Sequence, residues 1–146
     1  MSDVRVRKAS VSDHESLLAM KVEQSGILLL RLGHSLEEIT AWQAKFATRD
    51  YIIKHLKVPH SMYVVERGDE PVGMASLTIK DDGDDSIGYF GNLYCREAGS
   101  GHGSRLMDYR LGVLENFNLD YISCHVHSKN EAAKRFVQHY GFEEHG

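Results

Sequence analysis

Gly99, Gly101 and Gly103 stand at every second position of the stretch AGSGHGSRLM, and a helix-like run begins at once behind them. Glycine lets a backbone approach a ligand closely and adopt positive φ. The first turn of a helix carries N–H groups without intrahelical partners, and the helix dipole favours negative charge there. Successive amides over residues 99–104 are therefore suited to cradle a phosphate or pyrophosphate without any basic side chain. A mononucleotide loop would end in Gly-Lys-Ser/Thr, but Gly103 is followed by Ser104 and Arg105. A dinucleotide fingerprint would read G-x-G-x-x-G in a first βαβ unit; the spacing here is G-x-G-x-G and it follows a run of strands. Taken alone, the stretch is either an anion cradle or a plain loop before a helix. His125 and His127 alternate near the end of the chain, but no third ligand stands at a metal-site spacing and no HExxH occurs. No metal is expected. Asp81, Asp82, Asp84 and Asp85 form an acidic turn that either steers a cation or is a solvated tip.

These residues need a scaffold, and the periodicity supplies one. Val4 and Val6 alternate with charges and predict a short first strand. Ser12 and Glu15 have capping-box spacing before LLAMKVEQ, with ILLLRLG continuing that helix to a glycine stop. Ser35 and Glu38 repeat the signal before EITAWQAKFATRDYIIKHL, a second amphipathic helical region. SMYVVER and PVGMASLTIK are β-rich runs joined by a hairpin signal, and SIGYFGNLYC is a third. Behind the glycines, Leu106, Tyr109, Val113, Leu114 and Phe117 form one helical stripe. YISCHV predicts another strand, with His125 and His127 on one face of it. SKNEAAKRFVQHYGF predicts a last helix, capped by Ser128 and Glu131 and stopped by Gly141. The order β-α-α-β-β-β-α-β-α implies a mixed α/β (α+β) domain around a central sheet.

A chain of 146 residues is long enough for one cored domain, 1–146, and no linker or repeat divides it. A net charge of -4 argues against a nucleic-acid partner. No run reaches membrane-span length and MSDVRVRKAS has no apolar signal core, so no membrane association and a cytoplasmic location are expected. Cys95 and Cys124 lie in apolar alternating runs and read as reduced core residues.

Two stretches in order, NLYC with AGSGHGSRLM and then NEAAKRFVQHYGF, resemble the signatures of the GNAT acyltransferase superfamily. The first resembles that family's strand and pyrophosphate loop, Gln/Arg-x-x-Gly-x-Gly/Ala; the second resembles Asn-x-x-Ala-x-x-Phe/Leu-Tyr-x-x-x-Gly-Phe, matched at Asn130, Ala133, Phe136, Gly141 and Phe142. By pattern the likeness runs over residues 4–142. It implies a mixed central sheet with a splayed strand pair, flanked by helices. It implies an N-acetyltransferase that joins acetyl-CoA, as co-substrate, and an amine acceptor in a ternary complex. The thioester arm would bond backbone near Leu93 and Cys95, and the pyrophosphate would sit on Gly99, Ser100, Gly101, His102, Gly103 and Ser104. Asn130, with Ala133 and Phe136 of its motif, would meet the pantetheine arm, and Lys129, Lys134 and Arg135 are candidates for outer phosphate contacts. The sequence departs from the pattern in three places: Ala98 stands where Gln/Arg is usual, Val137 where many members carry the tyrosine that protonates the thiolate, and only four residues follow Phe142. Tyr140, one turn after Val137, is a candidate replacement acid, and His127 (or His125) a candidate base. Asn92 and Tyr94 could face substrate, and residues 12–57, with Trp42 and Phe46, would shape the acceptor pocket. The short end implies an open sheet edge and hence a homodimer. The second reading is a non-catalytic acyl-CoA-binding regulatory module.

Overall fold

The computed structural model describes residues 3–83, 85–97 and 99–144. Ala98 and Asp84, both singled out from the sequence, lie outside the described residues. In chain order the elements are β1 (Val4–Lys8), α1 (His14–Arg31), α2 (Leu36–Phe46), α3 (Arg49–Leu56), β2 (Met62–Arg67), β3 (Glu70–Asp82), β4 (Asp85–Cys95), α4 (His102–Leu114), β5 (Tyr121–Cys124) and α5 (Glu131–His139). The strands form a mixed sheet of five in sequence order. β1 to β4 are antiparallel, and β5 joins β4 in parallel after the α4 crossover.

Each sheet face has its own core. On one face Tyr63, Val65, Ala75, Leu77 and Phe90 pack against Leu106, Met107 and Leu114 of α4. On the other, Met62, Val64 and Met74 pack against Leu17 and Met20 of α1 and Ile52 of α3. Full burial of one such side chain contributes roughly 1.5–3 kcal/mol, so β2, buried on both sides from Met62 to Glu66, anchors the sheet.

Several predicted boundaries shift, each for a local reason. The cap before α1 is not Ser12 with Glu15. Ser10 and Asp13 form the capping box of a 3-10 turn, Val11–Asp13, that leads into the helix. Ser35 and Glu38 do cap α2 reciprocally. The long second helical region is two helices, because Ala47 leaves helical geometry and the Thr48 hydroxyl accepts from the Tyr51 amide to start α3. α5 is capped by Asn130, whose side chain accepts from the Ala133 amide, and not by Ser128. Gly141, at φ 90°, stops that helix as predicted. The buried face of α4 is His102, Leu106, Met107, Arg110 and Leu114, whereas Tyr109 of the predicted stripe is partly exposed. β5 ends at Cys124, so His125 and His127 follow the strand instead of lying in it. Cys95 and Cys124 are strand-borne and free.

Candidate functional site

β4 is longer than the strand beside it. Ile87 to Phe90 pair with Tyr121 to Cys124, and residues 91–95 then run on with no strand on that side among the described residues. The opposite edge of the same segment is irregular. Met74 pairs with Tyr94 but Ser76 pairs with Gly91, so β4 carries one residue more than β3 there. This bulge puts Asn92 at φ 50°, a conformation that asparagine tolerates better than most residues. Asn92 and Tyr94 still turn to the same side of the sheet, toward α1, where Asn92 accepts from Lys21 and the Tyr94 hydroxyl donates to Glu23.

A cavity of about 350 Å³ fills the divergence of β4 and β5. Gln24, Ser25, Leu28, Leu29 and Trp42 wall it from α1 and α2; Phe90 to Leu93 wall it from β4. Met107, Arg110, Asn130, Ala133, Phe136 and Val137 wall it from α4 and α5, and His125 and His127 from the segment after β5. It thus opens toward helices on both faces of the sheet. The glycine loop adjoins it through Gly103, where a Cβ would lie 3.7 Å from the Phe136 ring and 3.9 Å from Leu93.

The loop itself is built as an anion site requires. Gly99 and Gly101 sit at φ 74° and 83°, left-handed conformations that favour glycine. Gly101 is the N-cap of α4, so the unpaired amides of the first helical turn follow it directly. Gly103 has neither positive φ nor a steric demand, and a side chain there would make only ordinary contacts. The Ser100 hydroxyl donates to the Glu97 carbonyl and Arg105 Nη1 to the Ser100 carbonyl, which fixes the loop from within. His102 does not face outward. It is 1% exposed, and its Nε2 lies 3.0 Å from Glu97 Oε1, while Arg67 Nη1 donates to Oε2 of the same carboxylate. What His102 can offer a phosphate is its backbone amide.

Of the other residues read from the sequence, Leu93, Asn130, Ala133, Phe136 and His127 converge on the cavity. The Leu93 carbonyl is already taken by Gln24 Nε2 at 3.0 Å, and the Asn130 side-chain oxygen by its capping bond. Cys95 is largely buried, and burial pushes its thiol up to about 11. His127 Nδ1 accepts from the Lys129 amide at 3.1 Å, which leaves the hydrogen of the neutral ring on Nε2. Tyr140 stands elsewhere. It lines a larger groove of about 990 Å³ beside the outer edge of β5, and its hydroxyl donates to the Ser104 carbonyl at 3.4 Å. Lys134, one of the outer candidates, faces that groove and pairs with Glu131 at 3.6 Å. Among the described residues no three His, Cys, Asp or Glu side chains converge to hold a metal. No helix among them is long and apolar enough to cross a membrane.

Sequence reasoning missed two buried cations. Lys21 of α1 is 3% exposed, and its ammonium donates to the Asn92 side-chain oxygen at the bulge. The rings of Trp42 and Tyr51 lie over it, with centroids at 5.3 and 5.9 Å. Burial pushes its pKa from 10.5 down to about 8. Burial and the Lys21 charge together hold the nearby His55 below its ordinary value. Arg110 of α4 is 1% exposed; it donates to the Ser76 and Leu106 carbonyls and stacks 4.3 Å from the Phe90 ring centroid. Burial lowers its pKa to about 10. No apolar stripe announces the lysine: of Leu17, Lys21, Gln24, Ser25 and Leu28, which share one helical face, three are polar.

Comparison with known proteins gives a consistent result. The model of the acetyltransferase (GNAT) family matches residues 30–142. A PaiA N-acetyltransferase from Thermoplasma acidophilum, solved in complex with coenzyme A, superposes with a TM-score of 0.83 at 16% identity, over 97% of this chain and 90% of that one. A GCN5-related N-acetyltransferase from Ralstonia eutropha superposes with a TM-score of 0.79 at 18% identity, over 98% and 94%. An aminoglycoside N-acetyltransferase solved with CoA superposes with a TM-score of 0.73 at 14% identity, over 100% and 91%. At these identities the likeness is one of fold. Curated protein sequences give no match.

Proposed function

The chain belongs to the GNAT acetyltransferase family, and from that premise we propose that it transfers the acetyl group of acetyl-CoA to an amine, by direct attack in a ternary complex. The observation that carries this reading is the cavity in the β4–β5 divergence, walled from both sheet faces and continuous with the glycine loop. Pyrophosphate would rest on the amides of residues 99–104, and the acyl arm would follow β4 past Leu93, with Asn130, Ala133 and Phe136 against the pantetheine. Backbone N–H groups of the unpaired β4 segment would polarise the thioester carbonyl. A neutral amine entering from the α1 and α2 side attacks the carbonyl carbon; the C–N bond forms, the C–S bond breaks, and the proton lost from nitrogen ends on the sulfur of CoA.

Within this reading His127 stabilises the departing thiolate through Nε2–H, because its Nδ1 lone pair is taken by the Lys129 amide. Tyr140 is the second candidate for that proton; its bond to Ser104 keeps it on the loop side. The raised pKa of Cys95 supports direct transfer over a ping-pong route, since a thiol titrating near 11 is a poor neutral-pH nucleophile. The outer edge of β5 has no strand partner among the described residues, and we read a second copy as its cover. A non-catalytic CoA-binding module is the second reading, favoured by Val137 in the cavity wall. Thiol release from acetyl-CoA against a panel of amines separates them. Amine-dependent release supports transfer, CoA binding without turnover on any acceptor supports the module, and failure to bind CoA overturns both.

A further inference from the structure

The acceptor side of the cavity has an unusual charge balance. Among the described residues no Asp or Glu lines it. Glu23, the carboxylate next along α1, is held by Arg96 at 2.6 Å and by the Tyr94 hydroxyl. Lys21 and Arg110 are both buried and neither takes part in an ion pair among the described residues. Arg110 lines the cavity and the Lys21 ammonium lies against Asn92 and Trp42 of its wall, so among the described residues two cations sit there without counter-charge, which is costly unless something anionic joins them.

We infer that the amine acceptor carries a carboxylate and that Lys21 reads it. Lys21 is placed to do so: Asn92, which accepts its ammonium, and Trp42, whose ring lies over it, both line the cavity. One acceptor oxygen satisfies one of its three N–H donors, and aromatic faces engage the others weakly. Among the described residues the groups named against it, Trp42 of α2 and Tyr51 and His55 of α3, carry no negative charge. A polycationic acceptor would meet like charge here and find no carboxylate. Leu28, Leu29 and Trp42 add apolar walls, and the modest volume must also admit the acyl end of the co-substrate. A small amino acid with an apolar side chain fits all of these. The inference rests on the transfer reading above for its substrate role, though not for its anion site.

The test compares acceptors that differ only in the carboxylate: leucine against isoamylamine, and phenylalanine against phenethylamine. In parallel, calorimetry on the CoA-loaded protein compares N-acetyl-leucine with N-isoamylacetamide. The expected preference for the acid is at least about 30-fold in each assay, in KM for turnover and in Kd for calorimetry, as for a desolvated charge pair. Lys21→Met is expected to abolish it and Lys21→Arg to keep most of it, with circular dichroism verifying both folds. The inference is overturned if amines lacking the carboxylate are used as well, or if Lys21→Met keeps the preference. Lys21-dependent binding of N-acetyl-leucine with no turnover of any amine would support the anion site and sink the transfer reading instead.

Discussion

Replacing Lys21 by methionine is expected to make the protein more stable. A pKa moved from 10.5 to about 8 by burial means that the folded state bears a cost for the charge. At ~1.4 kcal/mol per pH unit the cost is roughly 3 kcal/mol at neutral pH. Methionine is of similar length and carries no charge, so it removes that cost. Against this, Asn92 loses its bond from the ammonium, a penalty of about 1–2 kcal/mol that the adjoining cavity lessens by admitting water. A net gain of ~1–2 kcal/mol follows, or a rise in Tm of roughly 2–8 °C for a chain of this size. The sign of the pH dependence is fixed by linkage. Between pH 8 and 10.5 the unfolded lysine binds more protons than the folded one, so wild-type stability gains from this group as pH rises through that window. Urea unfolding at neutral pH and again near pH ~10 is the assay, and the advantage of the variant is expected to shrink at the higher pH. A variant less stable than wild type by more than ~1 kcal/mol, or an advantage that ignores pH, would mean that the buried charge carries no such cost.

Gly101→Glu is expected to weaken CoA binding by at least about tenfold, because it forces a side chain into left-handed geometry and brings a negative charge to the helix N-terminus. Unchanged affinity by calorimetry would remove residues 99–104 as the phosphate cradle. Arg7→Met is expected to cost about 3 kcal/mol, because it strips a two-pronged partner, at 2.8 Å on each prong, from buried Asp13 and one of the partners of buried Glu66. Arg7 holds the Asp13 carboxyl below its ordinary range, so its contribution is present at neutral pH and fades as pH falls through that lowered pKa. Acid titrations of the two proteins should converge there. His127→Ala is expected to lower kcat by about 100-fold and Tyr140→Phe by much less, as steady-state kinetics can check. A larger loss in Tyr140→Phe would exchange their roles.

What could be read from the sequence was local. The Ser35–Glu38 box, the Gly141 stop and the glycine loop are decided within a few neighbouring residues, and each stands where its spacing put it. Where two good caps compete, as Ser128 and Asn130 do before α5, the choice depends on where the chain arrives from. The bulge at Asn92 is set by β3 pairing across the sheet, and no pattern in SIGYFGNLYC announces it. Lys21 reads as a solvated helix position until Trp42, Tyr51 and Asn92 close over it from three other elements. The residues that a motif could name belong to the proposed co-substrate side, and those that tertiary packing assembles belong to the proposed acceptor side.

The divergence of β4 and β5 also divides the molecule into parts of unequal cohesion. β5 is held to the sheet by four ladder pairs, and α5 buries none of its residues completely. Such a segment opens well below the free energy of global unfolding, so its amides exchange with solvent before those of β2 do. A ligand lying across the divergence grips both parts and needs them together. The binding energy of such a ligand would then add to the local stability of the C-terminal unit, beyond the ladder pairs and core contacts that already hold it.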